Sequence, residues 1–261
     1  MLLFFDIDGT IFDDRRNLPA SVKPAMEAAH RNGHQLIINT GRTLCNMDRR
    51  LDGFPLDGWI MGCGTRILYR GETKQSMEYG PKESLELREI FRELKLPTVY
   101  ECDTAMYFDP QGAQHPAAAE FRKWAEQRGI GREVTGTDPE FRAVKMFCFA
   151  DREKIAEMEK RTAAHGMPYT AINRWTEGWE VIPAGCSKGK GTDTLRKMLG
   201  AGTEECFAFG DSSNDLTMLQ QVGHSIAMGN AADEIKKVCS YVTDRPENDG
   251  IAKAMKHFGL I

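Results

Sequence analysis

The sequence predicts an α/β protein: a Rossmann-like parallel sheet with helices on both faces, plus an inserted α+β domain. Short apolar runs alternate with helical patterns at both ends of the chain, and such alternation is typical of parallel strands with right-handed crossovers. The middle of the chain has longer helices and strand-like pieces in an order that suits an antiparallel sheet. The predicted parallel-sheet core is therefore 1–80 and 183–261, and the predicted inserted domain is 81–182.

The elements of the first part follow from apolar runs and their boundaries. Each strand is a short apolar run, and each helix starts at a polar or proline-rich boundary and ends near a glycine. The predicted elements are a strand Leu2 to Ile7, a helix N-capped by Ser21 and ending near Gly33, a strand Gln35 to Asn39, another helix after Thr40-Gly41-Arg42, a strand Trp59 to Gly62, and a hairpin from Thr65 turning at Arg70-Gly71.

The later elements come from the same signals. In the inserted part we predict helices at Pro81 to Leu94, Pro116 to Arg128 and Asp151 to about His165, and strands at Thr98 to Cys102, Ala105 to Phe108, Ala143 to Ala150, Tyr169 to Ile172 and Trp179 to Ile182. After Pro183 we predict a helix from about Lys188, a strand Cys206 to Gly210, a helix from Asp215 and a strand Ser225 to Ala227.

Composition limits the classes of function. The chain has 261 residues, 41% of them hydrophobic, and a formal charge of -4, which argues against a nucleic-acid partner because such proteins carry a basic face. The apolar amino terminus reaches Asp6 without a basic leader, so we expect neither a signal peptide nor a membrane span there. Seven scattered cysteines without a C-x-x-C pair favour reduced thiols and a cytoplasmic location.

The first motif is Asp6-Ile7-Asp8-Gly9-Thr10, at the end of the first predicted strand. Two carboxylates at the tip of a buried strand repel each other and are costly to desolvate unless a cation or hydrogen bonds compensate. In an open parallel sheet, the carboxyl ends of the strands face the binding crevice. An aspartate-rich turn is the plainer alternative.

A second carboxylate cluster follows the strand at Cys206 to Gly210, in the sequence Gly210-Asp211-Ser212-Ser213-Asn214-Asp215. Asp211 should lie at the strand tip near Asp6. Oxygen ligands from separate loops, with no histidine or cysteine beside them, suit Mg²⁺ rather than zinc. Capping of the next helix remains an alternative role for Asp215 and Asn214.

Two further segments could bind an anion. Thr40-Gly41-Arg42 follows a strand and precedes a predicted helix, where backbone N–H groups and the threonine hydroxyl can bind phosphate oxygens. Lys188 lies at a helix N-terminus, where the helix dipole disfavours a cation unless an anionic partner is present. Lys190 is a competing candidate, and a solvated lysine is the alternative for both.

In this order the motifs resemble those of the haloacid dehalogenase-like superfamily. The four are Asp6-x-Asp8-Gly9-Thr10, Thr40-Gly41-Arg42, Lys188-Gly189 and Gly210-Asp211-x-x-Asn214-Asp215. The segments Ala227-Met228-Gly229-Asn230-Ala231 and Asn248-Asp249-Gly250-Ile251, with an insertion between the second and third motifs, are similar to the Cof-type subgroup. One departure is Cys63, where the subgroup usually has asparagine.

The resemblance implies roles for individual residues. Asp6 would be the nucleophile and Asp8 the general acid and base. Mg²⁺ would be held by Asp6, Asp8 through its backbone carbonyl, Asp211 and Asp215. The implied phosphate-binding residues are Thr40, Gly41, Arg42, Lys188 and Asn214.

The predicted function is that of a Mg²⁺-dependent phosphatase acting on a small phosphorylated metabolite, first of all a sugar phosphate, through an aspartyl-phosphate. A phosphomutase, a phosphatase for pyridoxal phosphate or flavin mononucleotide, and a binding module without turnover are the alternatives. No feature indicates a membrane or a protein partner, and the oligomeric state stays open, a monomer included. The resemblance implies that 1–80 and 183–261 form the catalytic core and that 81–182 is a cap in which substrate specificity resides. The polar or aromatic residues of the cap to watch are Arg142, Lys145, Trp175, Glu177 and Trp179, and a place in the core or on the solvated surface explains each at least as well.

Overall fold

The structure is a computed structural model that describes residues 1–261. Contacts within the chain divide it into two compact units. The first unit comprises Met1–Gly41, Asp48–Gln75 and Ser187–Ile261, and the second comprises Arg42–Met47 and Ser76–Cys186. Each unit has its own sheet, so each is described by itself.

The chain forms fourteen strands and eight α-helices. The strands are Leu2–Phe5 (β1), Gln35–Asn39 (β2), Gly58–Met61 (β3), Arg66–Tyr69 (β4), Glu72–Ser76 (β5), Thr98–Glu101 (β6), Met106–Phe108 (β7), Gly131–Glu133 (β8), Lys145–Phe149 (β9), Tyr169–Trp175 (β10), Gly178–Pro183 (β11), Cys206–Gly210 (β12), His224–Ala227 (β13) and Tyr241–Val242 (β14). The helices are Val22–Arg31 (α1), Pro81–Glu93 (α2), Pro116–Gln127 (α3), Arg152–Ala164 (α4), Lys188–Met198 (α5), Leu216–Leu219 (α6), Asp233–Val238 (α7) and Gly250–His257 (α8).

The sheet of the first unit has the strand order β14-β13-β12-β1-β2-β3-β4-β5. From β14 to β3 the strands are parallel, and β4 runs antiparallel to β3. The central strand β1 is fully buried, as its uninterrupted apolar sequence requires of a strand covered on both faces. Side chains of α5, α6 and α7 share a core with β1, while α1 packs against α8 and β2.

The sheet of the second unit has the order β10-β11-β9-β6-β7-β8. Its strands are antiparallel except for the pair β7 and β8. Because side chains alternate along a strand, the sheet has two different faces. One face forms an apolar core with α2 and α4, and the other forms a smaller apolar core with α3.

The predicted α/β fold class is confirmed, and most predicted elements lie within a few residues of the observed ones. The helix predicted after Thr40-Gly41-Arg42 is wrong: Leu44–Asn46 and Arg49–Leu51 are only short 3₁₀ turns. Leu44, Met47 and Leu51 stand at helical spacing, but Met47 and Asp48 are extended, with ψ 144° and 116°, and interrupt the helical path between the two turns. A helix N-terminus is therefore not available there for anion binding.

Other predictions were wrong or incomplete. Ser21 precedes α1, but its own backbone is helical and its hydroxyl makes no capping hydrogen bond, because a side-chain cap needs an extended residue. The second sheet is not wholly antiparallel, since β8 pairs with β7 in parallel. The prediction also omitted β8, β14, α7 and α8, which are short or lie close to polar turns. No helix combines the length and apolar character needed to cross a bilayer.

Candidate active site

Three parallel strands end at the same edge of the first sheet. The chain register pairs Phe5, at the end of β1, with Phe209 of β12 and Ile38 of β2. Asp6 follows β1 directly, and its backbone N–H donates to the Phe209 carbonyl at 3.0 Å. Asp211 follows β12 and Thr40 follows β2. The topology therefore brings the first, second and fourth motifs together, as expected for the carboxyl ends of parallel strands.

A cluster of carboxylates lies at this edge. Asp6, Asp211 and Asp215 each offer a carboxylate oxygen, and these oxygens lie within 4.8 Å of one another. The Lys188 ammonium donates to Asp6 Oδ1 at 2.5 Å and to Asp215 Oδ1 at 2.6 Å. The lysine side chain is 1% exposed. The cluster thus holds three carboxylates and one fully buried ammonium group.

Asp215 is fixed by the loop that follows β12. Its Oδ2 accepts hydrogen bonds from the backbone N–H groups of Asp211 and Ser212 at 3.1 and 2.9 Å, and from the Ser212 hydroxyl at 3.2 Å. It stands at the N-cap position of α6 but makes no capping bond to that helix. The carboxylate therefore orders the motif loop and places its other oxygen on Lys188.

The environment changes the proton affinity of these groups. Burial, together with repulsion from Asp215, raises the pKa of Asp6 to about 7. Burial, together with repulsion from Asp6, raises the pKa of Asp211 to about 8. Burial disfavours the charged form of Lys188, but attraction to Asp215 and Asp6 outweighs it and raises the pKa of the ammonium group. Lys188 therefore keeps its proton, and the carboxylates repel one another more than one lysine can compensate.

This donor set fits a magnesium ion. All three acidic side chains offer hard oxygen ligands, which Mg²⁺ prefers, and no histidine or cysteine belongs to the cluster. Burial is the main cause of the raised pKa values of Asp6 and Asp211 and repulsion between the carboxylates the second, so a bound cation would favour their ionised forms. Asp6, Asp211 and Asp215 are accordingly the residues that could hold a divalent cation.

Two glycines make the close packing of the site possible. Gly9 has φ +87, and a Cβ there would lie 2.4 Å from Asp211 Oδ2. In α5, a Cβ on Gly189 would lie 2.2 Å from the Thr217 carbonyl oxygen. The Gly189 N–H also donates to the Thr217 hydroxyl at 3.0 Å. Lys188 can therefore lie deep in the site because the residue after it has no side chain.

The other predicted site residues differ in how deeply they are buried and in what they contact. Asp8 is exposed, and its carboxylate does not belong to the cluster. Thr40 is buried, with its N–H donating to the Ile60 carbonyl at 2.8 Å, and Gly41 is half-buried. Asn214 is buried and accepts a hydrogen bond from the Ser212 hydroxyl at 2.9 Å.

The basic candidates for phosphate binding, Arg42, Lys188 and Lys190, lie in three different surroundings. Arg42 belongs to the second unit, where its guanidinium donates to the Asn46 carbonyl at 3.3 Å. Lys190 is exposed on α5, whereas Lys188 lies in the carboxylate cluster. Of the two lysines between which the sequence could not decide, Lys188 is the one at the strand ends.

Sequence reasoning assigned no role to several residues that support the site. The Thr10 hydroxyl donates to Asp211 Oδ1 at 3.2 Å. The Asn39 side-chain amide donates to the Lys188 carbonyl at 3.0 Å and to the Thr192 hydroxyl at 2.9 Å, which ties β2 to the first turn of α5. The Asn230 amide donates to the Gly9 carbonyl at 2.9 Å. The sequence signal that could have identified Thr10 and Asn39 is their position: Thr10 lies in the first motif, and Asn39 directly precedes the second.

Comparison with known proteins decides the family. The family described as haloacid dehalogenase-like hydrolase matches residues 3–255. The chain belongs to this family. The predictions of the family, with its Cof-type subgroup, and of a phosphoric monoester hydrolase as the enzyme class are thereby confirmed.

Relatives of this hydrolase have phosphatase names. YkrA of Bacillus subtilis strain 168, named as a candidate phosphatase, is 31% identical over 100% of this chain and 98% of its own length. The pyridoxal phosphate phosphatase YbhA of Escherichia coli K12 is 28% identical over 97% of this chain and 96% of its own length. The solved structure of BT4131, described as a subclass IIB sugar phosphatase, has 26% identity and a TM-score of 0.81, covering 100% of this chain and 99% of that one.

Proposed function

We propose that this haloacid dehalogenase-like phosphatase is Mg²⁺-dependent and hydrolyses a small sugar phosphate through an aspartyl-phosphate on Asp6. The carrying observation is the cluster of Asp6, Asp211 and Asp215 around Lys188 at the ends of parallel strands. Asp6 is the nucleophile because its carboxylate lies in that cluster and is held by the end of β1. Repulsion between this carboxylate and a phosphate dianion amounts to about 8 kcal/mol at about 4 Å in a dielectric near 20, so cations are required.

The first chemical step forms one bond and breaks another at phosphorus. An Asp6 oxygen attacks the phosphorus atom, the bond from phosphorus to the ester oxygen breaks, and Asp8 gives a proton to the departing alkoxide, which leaves as an alcohol. Lys188 supplies positive charge beside the nucleophile, and the Thr40 hydroxyl, Gly41 and Asn214 would bind phosphate oxygens. Exposure of Asp8 supports this role, because its carboxyl group is accessible to the leaving oxygen in this step and to the attacking water in the next.

The second step regenerates the enzyme. Asp8, now ionised, accepts a proton from a water molecule whose oxygen attacks the phosphorus of the aspartyl-phosphate. Inorganic phosphate leaves, and Asp6 returns as a carboxylate. Bound to Asp6, Asp211, Asp215 and the Asp8 carbonyl, Mg²⁺ would neutralise negative charge on the nucleophile and on the phosphoryl oxygens.

Two names among the relatives support a small phosphorylated metabolite as the substrate. One structural neighbour is described as a sugar phosphatase and one relative as a pyridoxal phosphate phosphatase. We propose a sugar phosphate as the substrate, the second unit as the part that selects it, and the cytoplasm as the location. All seven cysteines are free thiols, which suits a reducing compartment.

Phosphate release from a panel of phosphorylated metabolites, with Mg²⁺ or with EDTA, tests the proposal. We expect turnover only with Mg²⁺, and loss of turnover by about 10⁴-fold or more in Asp6→Asn, because the nucleophile is removed. The exposed Asp52 provides the matched control, since Asp52→Asn makes the same chemical change away from the cluster. Equal activity of Asp6→Asn and Asp52→Asn would exclude Asp6 as the nucleophile.

A second measurement tests the intermediate. With acetyl phosphate, whose leaving group needs no proton, Asp8→Asn should still be phosphorylated but should hydrolyse the adduct slowly. A phosphorylated, hydroxylamine-sensitive protein should therefore accumulate after mixing, located at Asp6 by peptide mass spectrometry. Isomerised product in place of free phosphate would instead indicate a phosphomutase.

A further inference from the structure

The backbone of Asp8 is held in place by Phe12, four residues further along the chain. The Phe12 N–H donates to the Ile7 carbonyl at 2.9 Å, and the Gly9 N–H donates to the Phe12 carbonyl at 2.9 Å. Asp8 and Phe12 thereby form an isolated parallel bridge. Because Phe12 binds the residues on both sides of Asp8, a contact that fixes Phe12 also fixes the backbone of Asp8.

The ring of Phe12 is covered by an arginine of the same unit. The Arg50 guanidinium lies 4.2 Å from the centroid of the ring, within the range of a cation–π interaction. Phe12 is fully buried, while the side chain of Arg50 is 46% exposed. Arg50 Nη1 also donates to the Arg16 carbonyl at 2.7 Å. One side chain therefore contacts the loop after Asp8 at two points.

A carboxylate fixes the orientation of this guanidinium group. Asp48 accepts hydrogen bonds from Arg50 Nε at 2.9 Å and from Arg50 Nη2 at 2.7 Å, and it also accepts one from the Arg50 backbone N–H at 3.0 Å. Two parallel bonds between a guanidinium and a carboxylate fix the planes of both groups, which a lysine ammonium cannot do. Arg50 therefore joins Asp48 rigidly to the loop that contains Phe12.

Arg50 also lies close enough to Asp8 for the two charges to attract each other. Hydrogen bonding to Asp48 is the main cause of the raised pKa of Arg50, and attraction to Asp48 and to Asp8 adds to it. Asp8 is exposed, and its carboxylate lies outside the carboxylate cluster that surrounds Lys188. Arg50 therefore supplies positive charge beside the proposed general acid.

Stability of the fold is a weak explanation for these contacts. The ion pair of Arg50 with Asp48 is partly exposed, and such pairs contribute about 0–1 kcal/mol. Ordering a long arginine side chain costs about 1.5–2 kcal/mol of conformational entropy. The neighbouring Arg49 is exposed on the same short turn and does not take part in these contacts, so the turn itself does not require them.

We propose that Arg50 is a positioning residue that holds the loop of Phe12 and so keeps Asp8 in place to protonate the departing alkoxide. The inference rests on the phosphatase function proposed above, in which Asp8 is the general acid. A displacement of about 1 Å in a catalytic group can cost about 10²-fold in rate. Loss of Arg50 should therefore slow the reaction where the leaving group needs a proton.

The dependence of the rate on the leaving group tests this inference. With Mg²⁺ present, kcat/KM is measured on the most rapidly hydrolysed sugar phosphate and on acetyl phosphate, because kcat/KM reports the steps up to the aspartyl-phosphate. Arg50→Met should lower kcat/KM on the sugar phosphate by about 10²-fold and stay within about 3-fold of wild type on acetyl phosphate. Arg50→Lys should restore little, and Asp48→Asn should show a smaller loss of the same kind.

Two further variants make the outcome decisive. Asp8→Asn should show the same difference between the two substrates as Arg50→Met, and a larger one, because it removes the proton donor itself. Arg49→Met removes the same charge from the neighbouring residue and should leave both substrates unaffected.

The possible failures are distinguishable. If Asp8→Asn shows the difference between substrates but Arg50→Met lowers both rates by the same factor, or neither, Arg50 serves only the fold and the inference is overturned. An equal loss in Arg49→Met and Arg50→Met would overturn it as well, since charge alone would then account for the effect. If Asp8→Asn shows no difference between the substrates, the proposed role of Asp8 fails, and this inference fails with it.

Discussion

Each unit of the molecule buries one lysine between two carboxylates, but the surroundings give the two lysines different consequences. Lys188 lies 2.5 and 2.6 Å from Asp6 and Asp215, and Asp211 adds a third carboxylate. Lys145 lies between Glu101 and Glu180, and Arg174 supplies a second cation. The group around Lys188 has an excess of negative charge, and the group around Lys145 has none. The local sum of charge, rather than the presence of a buried ion pair, therefore indicates which of the two groups could hold a cation.

The pair of variants Lys188→Met and Lys145→Met tests this difference, and it has the largest expected effect. Removing one partner of a buried ion pair destabilises a protein by about 3–5 kcal/mol, so both variants should unfold at lower urea concentration without Mg²⁺. Mg²⁺ should restore much of the stability of Lys188→Met, because it can neutralise the three remaining carboxylates. It should restore none to Lys145→Met. Urea unfolding with Mg²⁺ and with EDTA measures this.

Turnover separates the same two variants. Lys188→Met should lose about 10³-fold in kcat, the usual scale for removing one electrostatic contact to the reacting group. An equal response of both variants to Mg²⁺, or full turnover by Lys188→Met, would contradict the distinction between the two lysines.

The next prediction concerns the geometry of the carboxylate cluster. Gly9 and Gly33 have nearly the same φ, +87 and +85, so alanine strains the backbone similarly at both. Only at Gly9 would the new Cβ meet a side chain, 2.4 Å from Asp211 Oδ2. Gly9→Ala should therefore displace Asp211 and lower kcat by about 10²-fold, while Gly33→Ala should lose only about 1–2 kcal/mol of stability. Steady-state kinetics and thermal unfolding of both variants check this, and equal kcat values would show that the position of Asp211 is not critical.

The sequence predicts the surroundings of Lys188 better than those of Lys145, and the reason is physical. Asp6, Asp211 and Lys188 stand at ends of elements, and a parallel sheet brings strand ends together whatever the details of packing. The exposure of Asp8 was not predictable in the same way. Residues two apart share a side only while the chain stays extended, and the chain leaves β1 after Phe5.

The ion pairs that join Lys145 to Glu101 and Glu180 depend on information that a single sequence does not contain. Lys145 and Trp175 could be singled out as polar or aromatic residues of the insert, but so could Trp179, which is buried in the apolar core with its indole N–H donating to the Ala150 carbonyl at 2.9 Å. Which of them meet depends on the register of four strands. A shift of one residue would turn Glu180 to the other face.

A smaller effect is expected from pH. The raised pKa values of Asp6 and Asp211 mean that the metal-free folded protein binds protons that the unfolded chain has released above the ordinary carboxyl pKa of 3.8. The stability of the metal-free protein should therefore fall as pH rises from about 4 to about 8. Mg²⁺ takes the place of these protons, so the increase in Tm on adding Mg²⁺ should be larger near pH 8 than near pH 6, by about 3–6 °C. Thermal unfolding at both pH values measures this, and the difference should shrink in Asp6→Asn but persist in Asp52→Asn.

The smallest effect is expected in the second unit, where Gly178 gives room to Trp175 as Gly9 gives room to Asp211. A Cβ on Gly178 would lie 2.3 Å from the indole, so Gly178→Ala should tilt Trp175 away from Phe147 without changing any charge. We expect Gly178→Ala to lose about 1–3 kcal/mol of stability, the usual cost of overpacking, with little change in kcat, as measured by thermal unfolding and steady-state kinetics. Gly136→Ala, which meets nothing within 4 Å, is the matched control in the same unit. A loss of kcat as large as that expected for Gly9→Ala would contradict the distinction between the two glycines.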